Sequence, residues 1–146
     1  DVLRAAKPDS SRRASAFAYE LILELMRTQP NDVRGRPLPR AVETVASHVL
    51  EHLSEPCALV SLSRQAGVSP HYLSRLFIKH LGMSYQQWLL RLRMSIASRL
   101  LLYTMWKVYV IGERVGYGNA YAFTRAFRKV AGCTPKEFRR RSWNVR

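Results

Sequence analysis

The chain has 146 residues, with 24 Lys and Arg against 10 Asp and Glu, a net charge of +14 and a sequence pI near 10.7. That length holds one compact domain or a domain with an extension, and that charge favours nucleic acid or another anionic surface as partner. No apolar run approaches the ~18 residues of a membrane-spanning helix, no targeting pattern opens the chain, and the two cysteines, Cys57 and Cys133, are too few for a disulfide framework or a zinc site. No membrane contact and a cytoplasmic location are expected.

Residues 1–13 are polar. Residues 14–28 (ASAFAYELILELMRT) predict a helix: Phe17, Leu21 and Leu25 with Ala18, Ile22 and Met26 make one wide apolar stripe, and Ser11 or Ser15 can cap its start. Residues 29–39 hold Pro30, Pro37, Pro39 and Gly35 and read as a linker. Residues 40–53 return to helical spacing through Val42, Val45, Ala46, Val49, Leu50 and Leu53, and Pro56 makes extension past Glu55 unfavourable. A helix, a turn and a helix follow. Residues 85–103 form a longer helix in which Trp88, Leu92, Ile96 and Leu100 recur every fourth position. A second helix, turn and helix come next, and residues 135–141 give a short last helix opening on Pro135. The fold class is all-α, with about eight helices and no alternating strand pattern of useful length.

The two helix–turn–helix stretches are copies of one another. Residues 59–88 read LVSLSRQAGVSPHYLSRLFIKHLGMSYQQW and residues 108–138 read VYVIGERVGYGNAYAFTRAFRKVAGCTPKEF. Leu62 matches Ile111 and Gly67 matches Gly116. Beyond the turn, Leu73 matches Phe123, Arg75 matches Arg125 and Phe77 matches Phe127, one register step later. One extra turn residue in the second copy accounts for the step. A helix-turn-helix needs a small residue where its helices cross, a turn residue that tolerates positive φ, and apolar residues behind the second helix. Ser63, Gly67, Leu73 and Leu76 fill these places in the first copy, and Gly112, Gly116, Phe123 and Ala126 in the second. Ser69 and Pro70 start one second helix, and Asn119 can cap the other.

The outward faces of the two second helices carry the chemistry. On the first, His71, Ser74, Arg75 and Lys79 point away from Leu73, Leu76 and Phe77. Arg75 can bond guanine O6 and N7 together, and Ser74 and His71 can exchange hydrogen bonds with base edges. On the second, Ala120, Tyr121, Thr124 and Arg125 face outward, with Arg128 and Lys129 one turn on. Ala120 and Tyr121 offer apolar contact to thymine methyls, and Thr124 can contact either way. Arg125 either reads a base or phosphate or pairs with an acid such as Glu113. Lys79, Arg128 and Lys129 suit phosphate, which gives affinity without sequence choice. Ser61, beside a helix start, can present backbone N–H groups to phosphate. Arg139, Arg140 and Arg141 form a basic tail that faces either phosphate or solvent. Arg91, Arg93 and Arg99 either approach the DNA backbone or pair with Glu51 and Glu55. No nucleophile–base–acid set, phosphate-cradling glycine loop or metal cluster is legible, so neither enzymatic activity nor a cofactor is expected.

The stretches GVSPHYLSRLFIKHLGMSYQQWLLRLRMSIASRLL and ERVGYGNAYAFTRAFRKVAGCTPKEFRRR resemble the DNA-binding domain of the AraC/XylS family of bacterial transcription regulators, over about residues 40–141. The resemblance implies two helix-turn-helix units, 40–84 and 104–141, joined by the linker helix 85–103. Each second helix is then expected to enter one of two successive major-groove segments of double-stranded DNA. By the same resemblance, His71, Ser74, Arg75, Ala120, Tyr121, Thr124 and Arg125 stand where the family reads bases. Residues 1–39 resemble the tail of a sensing or dimerisation domain; the oligomeric state stays open, with residues 14–28 or a missing domain as the place where a dimer could form. RNA polymerase or another regulator is the alternative partner. The second copy departs from the family where Val110-Ile111-Gly112 replaces the usual Glu-Ile-Ala, and where residues 103–109 (YTMWKVY) are unusually aromatic. A looser or locally altered second unit is therefore expected.

Overall fold

The computed structural model describes residues 37–144. The helix expected over residues 14–28 and most of the linker lie outside the described residues. Seven helices occur among the described residues: α1 (Arg40–Glu51), α2 (Leu59–Gln65), α3 (Pro70–Leu81), α4 (Tyr85–Tyr103), α5 (Val108–Arg114), α6 (Ala120–Ala131) and α7 (Pro135–Asn144). No strand and no helix long and apolar enough to cross a membrane occurs among them. The chain forms two compact units. The described part of the first is residues 37–52 and Cys57–Tyr85; the second takes Leu53–Pro56 and the chain from Gln86 onward.

In the first unit α1 packs on α2 and α3, and α2 packs on α3. Val42, Val45, Ala46 and Val49 fall on one stripe of α1 and are buried. They meet a core built from Leu62 of α2 and Leu73, Leu76 and Phe77 of α3. Each such aliphatic side chain contributes about 1.5–3 kcal/mol on burial. Phe77 meets Tyr85 edge to face at 5.3 Å, and the Tyr85 hydroxyl donates to the Cys57 carbonyl at 2.7 Å. The Ser69 hydroxyl accepts from the Tyr72 N–H at 3.1 Å, and Pro70 occupies the first turn.

The second unit has the same plan. α6 packs on α5 and α7. Ile111, Val115, Phe123 and Phe127 are completely buried. Aromatic rings run through it in sequence, Tyr117 to Phe123 at 5.7 Å, Phe123 to Phe127 at 5.9 Å and Phe127 to Phe138 at 5.4 Å. The Asn119 carboxamide oxygen accepts from the N–H groups of both Tyr121 and Ala122, at 2.8 and 3.1 Å. Thr134 and Glu137 form a reciprocal capping box at the start of α7: the Thr134 N–H donates to the Glu137 carboxylate at 2.9 Å, and the Glu137 N–H donates to the Thr134 hydroxyl at 3.2 Å.

Both turns use one hydrogen-bond scheme. Gly67 donates to Arg64 O and Val68 to Ser63 O, at 3.2 and 3.0 Å; Gly116 donates to Glu113 O and Tyr117 to Gly112 O, at 3.2 and 2.9 Å. This is a Schellman ending. It places the glycine at φ +71° in one copy and +96° in the other, the left-handed region that L side chains avoid. The turns cover residues 66–69 and 115–119, so the register step inferred from the sequence is one inserted turn residue.

Three sequence expectations are corrected. α5 is not altered as a helix: it has 7 residues, as α2 has. Gly112 faces α6 so closely that a Cβ there would lie 3.1 Å from the Phe123 ring. That close crossing is the place the sequence assigns to a small residue. α1 stops at Glu51, because His52 leaves helical geometry (φ −126°, ψ 36°), although Leu53 is still buried. α7 continues to Asn144, beyond the expected residue 141.

Candidate nucleic-acid interface

The two second helices, α3 and α6, are built to hold one face in and one face out. Leu73, Leu76 and Phe77 bury one side of α3, and Phe123 and Phe127 bury one side of α6. A helix anchored this way cannot roll without exposing large apolar side chains, so its opposite residues are fixed toward solvent.

On α3, His71, Arg75 and Lys79 are exposed and Ser74 is half-buried. On α6, Ala120, Tyr121, Arg125, Arg128 and Lys129 are exposed and Thr124 is half-buried. All the residues singled out on each helix therefore share its solvent face. Neither helix sequence, PHYLSRLFIKHL or AYAFTRAFRKVA, contains an acid. Neither helix carries an anion of its own to oppose its cations, which favours an anionic ligand. Ser61 is exposed as the third residue of α2, whose start has no side-chain cap. Its N–H is one of those a helix start leaves without a carbonyl partner.

Arg125 leans on a ring: its guanidinium carbon sits 5.8 Å from the centre of Tyr121. Arg93 turns inward, donating to the carbonyls of Leu53 at 3.5 Å and Glu55 at 3.3 Å and lying 5.9 Å from the Tyr117 ring. Burial raises the Tyr117 phenol above its ordinary value, and the Arg93 charge partly offsets this. Arg139 is not a free tail cation. Its Nε donates to Leu101 O at 3.1 Å and its Nη2 to Thr104 O at 3.3 Å, so it caps the end of α4. Arg140 and Arg141 remain exposed.

Sequence reasoning passed over Tyr72 and Ile78, both exposed apolar side chains on α3, 45% and 57% accessible. Their only signal was apolar character away from the buried stripe. It also left unassigned an apolar hollow in the second unit, lined by Leu102, Tyr103, Thr104, Met105 and Trp143. The aromatic stretch around it is partly structural, since the Arg114 guanidinium packs over the Trp106 ring at 5.1 Å. Cys133 is buried, as a small core filler would be.

A family profile for a helix-turn-helix domain matches residues 62–141. The chain is similar to the arabinose operon regulatory protein of Salmonella typhimurium, 32% identical over 139 residues that cover 92% of this chain and 50% of that protein. It is similar to the arabinose operon regulatory protein of Escherichia coli, 32% identical over 88% of this chain and 45% of the relative. The chain thus spans about half the length of the curated relatives it matches. Among solved structures it is similar to the C-terminal domain of AraT, a response regulator from Geobacillus stearothermophilus, at TM-score 0.69 and 36% identity, covering 72% of this chain and 88% of that one. It is also similar to the DNA-binding domain of AdpA, a global transcriptional factor solved in complex with a target DNA. That match has TM-score 0.68 and 29% identity, over 73% of this chain and 96% of that one.

Proposed function

We propose that this chain, which belongs to the AraC-type helix-turn-helix family, is the sequence-specific, double-stranded-DNA-binding part of a transcription regulator that acts by binding rather than by catalysis. The observation that carries this reading is the repeated acid-free outer face, His71/Ser74/Arg75 on α3 and Ala120/Tyr121/Thr124/Arg125 on α6, each held by a buried apolar stripe and a glycine corner. Each helix reads one major-groove segment. Arg75 and Arg125 suit guanine edges, Ser74, Thr124 and His71 suit hydrogen-bonding edges, and Ala120 suits a thymine methyl. Lys79, Arg128, Lys129 and the Ser61 N–H hold phosphate and set position. A regulator of this kind works in the cytoplasm, where bacterial DNA lies.

Binding measured across salt concentrations tests the reading. Kd for a selected duplex should rise steeply with salt, with log affinity falling by roughly 0.9 per phosphate neutralised for each unit of log salt. A scrambled duplex should bind far more weakly. Affinity that is flat in salt, or equal for both duplexes, contradicts it.

One observation favours a second reading. The hollow around Tyr103 and Met105 leaves large apolar side chains exposed, 73% and 75% accessible, in a unit otherwise rich in cations. It suits docking of RNA polymerase or another regulator. Arg75→Ala with Arg125→Ala separates the readings: DNA recognition collapses, while a docking role survives.

A further inference from the structure

Tyr121 has no packing reason to be aromatic. It is 71% exposed, one of the most open large side chains among the described residues, and sits in the first turn of α6. Its ring is nevertheless engaged, because Arg125, four residues on, places its guanidinium carbon 5.8 Å from the ring centre. Side chains four apart on a helix are neighbours, and a guanidinium within about 6 Å of a tyrosine face is attracted by the ring quadrupole. The backbone beneath the ring is also fixed, since the Tyr121 N–H donates to the Asn119 cap at 2.8 Å and Phe123 and Phe127 lock the inner face. In α3 the matching place, four residues before Arg75, holds His71, whose ring is a poorer cation platform.

We infer that Tyr121 is a positioning residue, holding the Arg125 guanidinium in a preset orientation on the outer face of α6 so that its planar fork meets a base edge without first losing rotamer freedom. This rests on the DNA-reading function proposed above and adds a division of labour to it. An arginine fork gains specificity from orientation as well as charge, and a side chain ordered before binding loses less entropy on contact. A tyrosine that acted by itself, through a thymine methyl, would need its ring free to leave Arg125.

The test is a double-mutant cycle on the full chain, using the duplex that the unmodified protein selects from a random pool and single-base-pair variants of it. The proteins are Tyr121→Phe, Tyr121→Ala, Arg125→Ala and the Tyr121→Ala/Arg125→Ala double variant. Tyr121→Phe should stay within about twofold of the parent, and Tyr121→Ala should bind roughly five- to tenfold more weakly. The lost discrimination should fall on the base pair that Arg125→Ala also relaxes. In the Arg125→Ala background, removing the ring should change Kd by less than about twofold. Equal losses in both backgrounds overturn the inference, because Tyr121 then acts independently of Arg125. A Tyr121→Phe loss matching Tyr121→Ala overturns it as well, because the hydroxyl rather than the ring face then matters. If Arg125→Ala leaves binding and discrimination intact, the base-reading assignment fails and this inference with it. Since Tyr121 is exposed, unchanged thermal unfolding is expected for its variants and separates a positioning effect from misfolding.

Discussion

Gly116 stands so close to Leu53 that a Cβ on it would lie 2.7 Å from the Leu53 carbonyl oxygen. The same carbonyl accepts a hydrogen bond from Arg93, whose guanidinium would lie 2.8 Å from that Cβ. At Gly67, the equivalent corner of the first copy, nothing lies within 4 Å of a Cβ. The two corners share a conformation but not an environment. Gly67→Ala should cost only the left-handed backbone strain, about 1 kcal/mol. Gly116→Ala should cost that plus a further ~1–3 kcal/mol of overpacking, with Arg93 displaced. Trp88, Trp106 and Trp143 all fall in the second unit. Urea unfolding followed by tryptophan fluorescence should therefore register Gly116→Ala strongly, while circular dichroism is the probe for Gly67→Ala.

Gly112 gives a second packing prediction. A branched side chain there would drive into the buried Phe123 ring, already 3.1 Å from the Cβ position. Gly112→Val should destabilise the second unit by about 1–3 kcal/mol, measured by urea unfolding.

Arg139 and Lys129 are both cations of the second unit, but they should fail differently. Arg139 holds the carbonyls of Leu101 and Thr104, and hydrogen bonds from a charged donor contribute roughly 1.5–3 kcal/mol. Arg139→Ala should lower the unfolding midpoint and leave the salt slope of DNA binding unchanged. Lys129 is exposed on α6. Lys129→Ala should leave the midpoint alone and reduce the salt slope by about one.

The α7 capping box predicts a pH dependence. The Glu137 carboxyl is held below the usual carboxylate range, first by the Thr134 N–H and then by the Thr134 hydroxyl, with Arg141 and Arg128 adding smaller pulls. A carboxyl whose folded value is depressed stabilises the fold above its ordinary range, and that contribution is lost as pH falls through the folded value. The difference in melting temperature between the parent and Glu137→Gln should be present at neutral pH and close as the solution is acidified through that range. Thr134→Ala should cost about 0.5–2 kcal/mol at neutral pH, as loss of a helix N-cap does.

Legibility in the sequence followed range. The caps at Ser69 and Asn119, the glycine corners and the span of α4 depend on residues a few positions apart, so local spacing was enough to place them. The outer faces of α3 and α6 followed from the buried stripes opposite them. Arg139 was misjudged as part of a basic tail because its partners, Leu101 and Thr104, lie 38 and 35 residues away. Gly112 was legible as the small residue at a helix crossing, but not the ring it makes room for, because Phe123 belongs to another helix. The contact between Tyr121 and Arg125 has local spacing, yet spacing alone could not distinguish two independent readers from a ring supporting a guanidinium.

Selection of bound duplexes from a random pool, run in parallel for the unmodified chain, Arg75→Ala and Arg125→Ala, addresses the paired-helix mechanism most directly. The unmodified chain should enrich two short sequence blocks about one helical turn (~10 base pairs) apart. Arg75→Ala should lose information in one block and Arg125→Ala in the other. Enrichment of a single block, or both substitutions eroding the same base pairs, contradicts the mechanism.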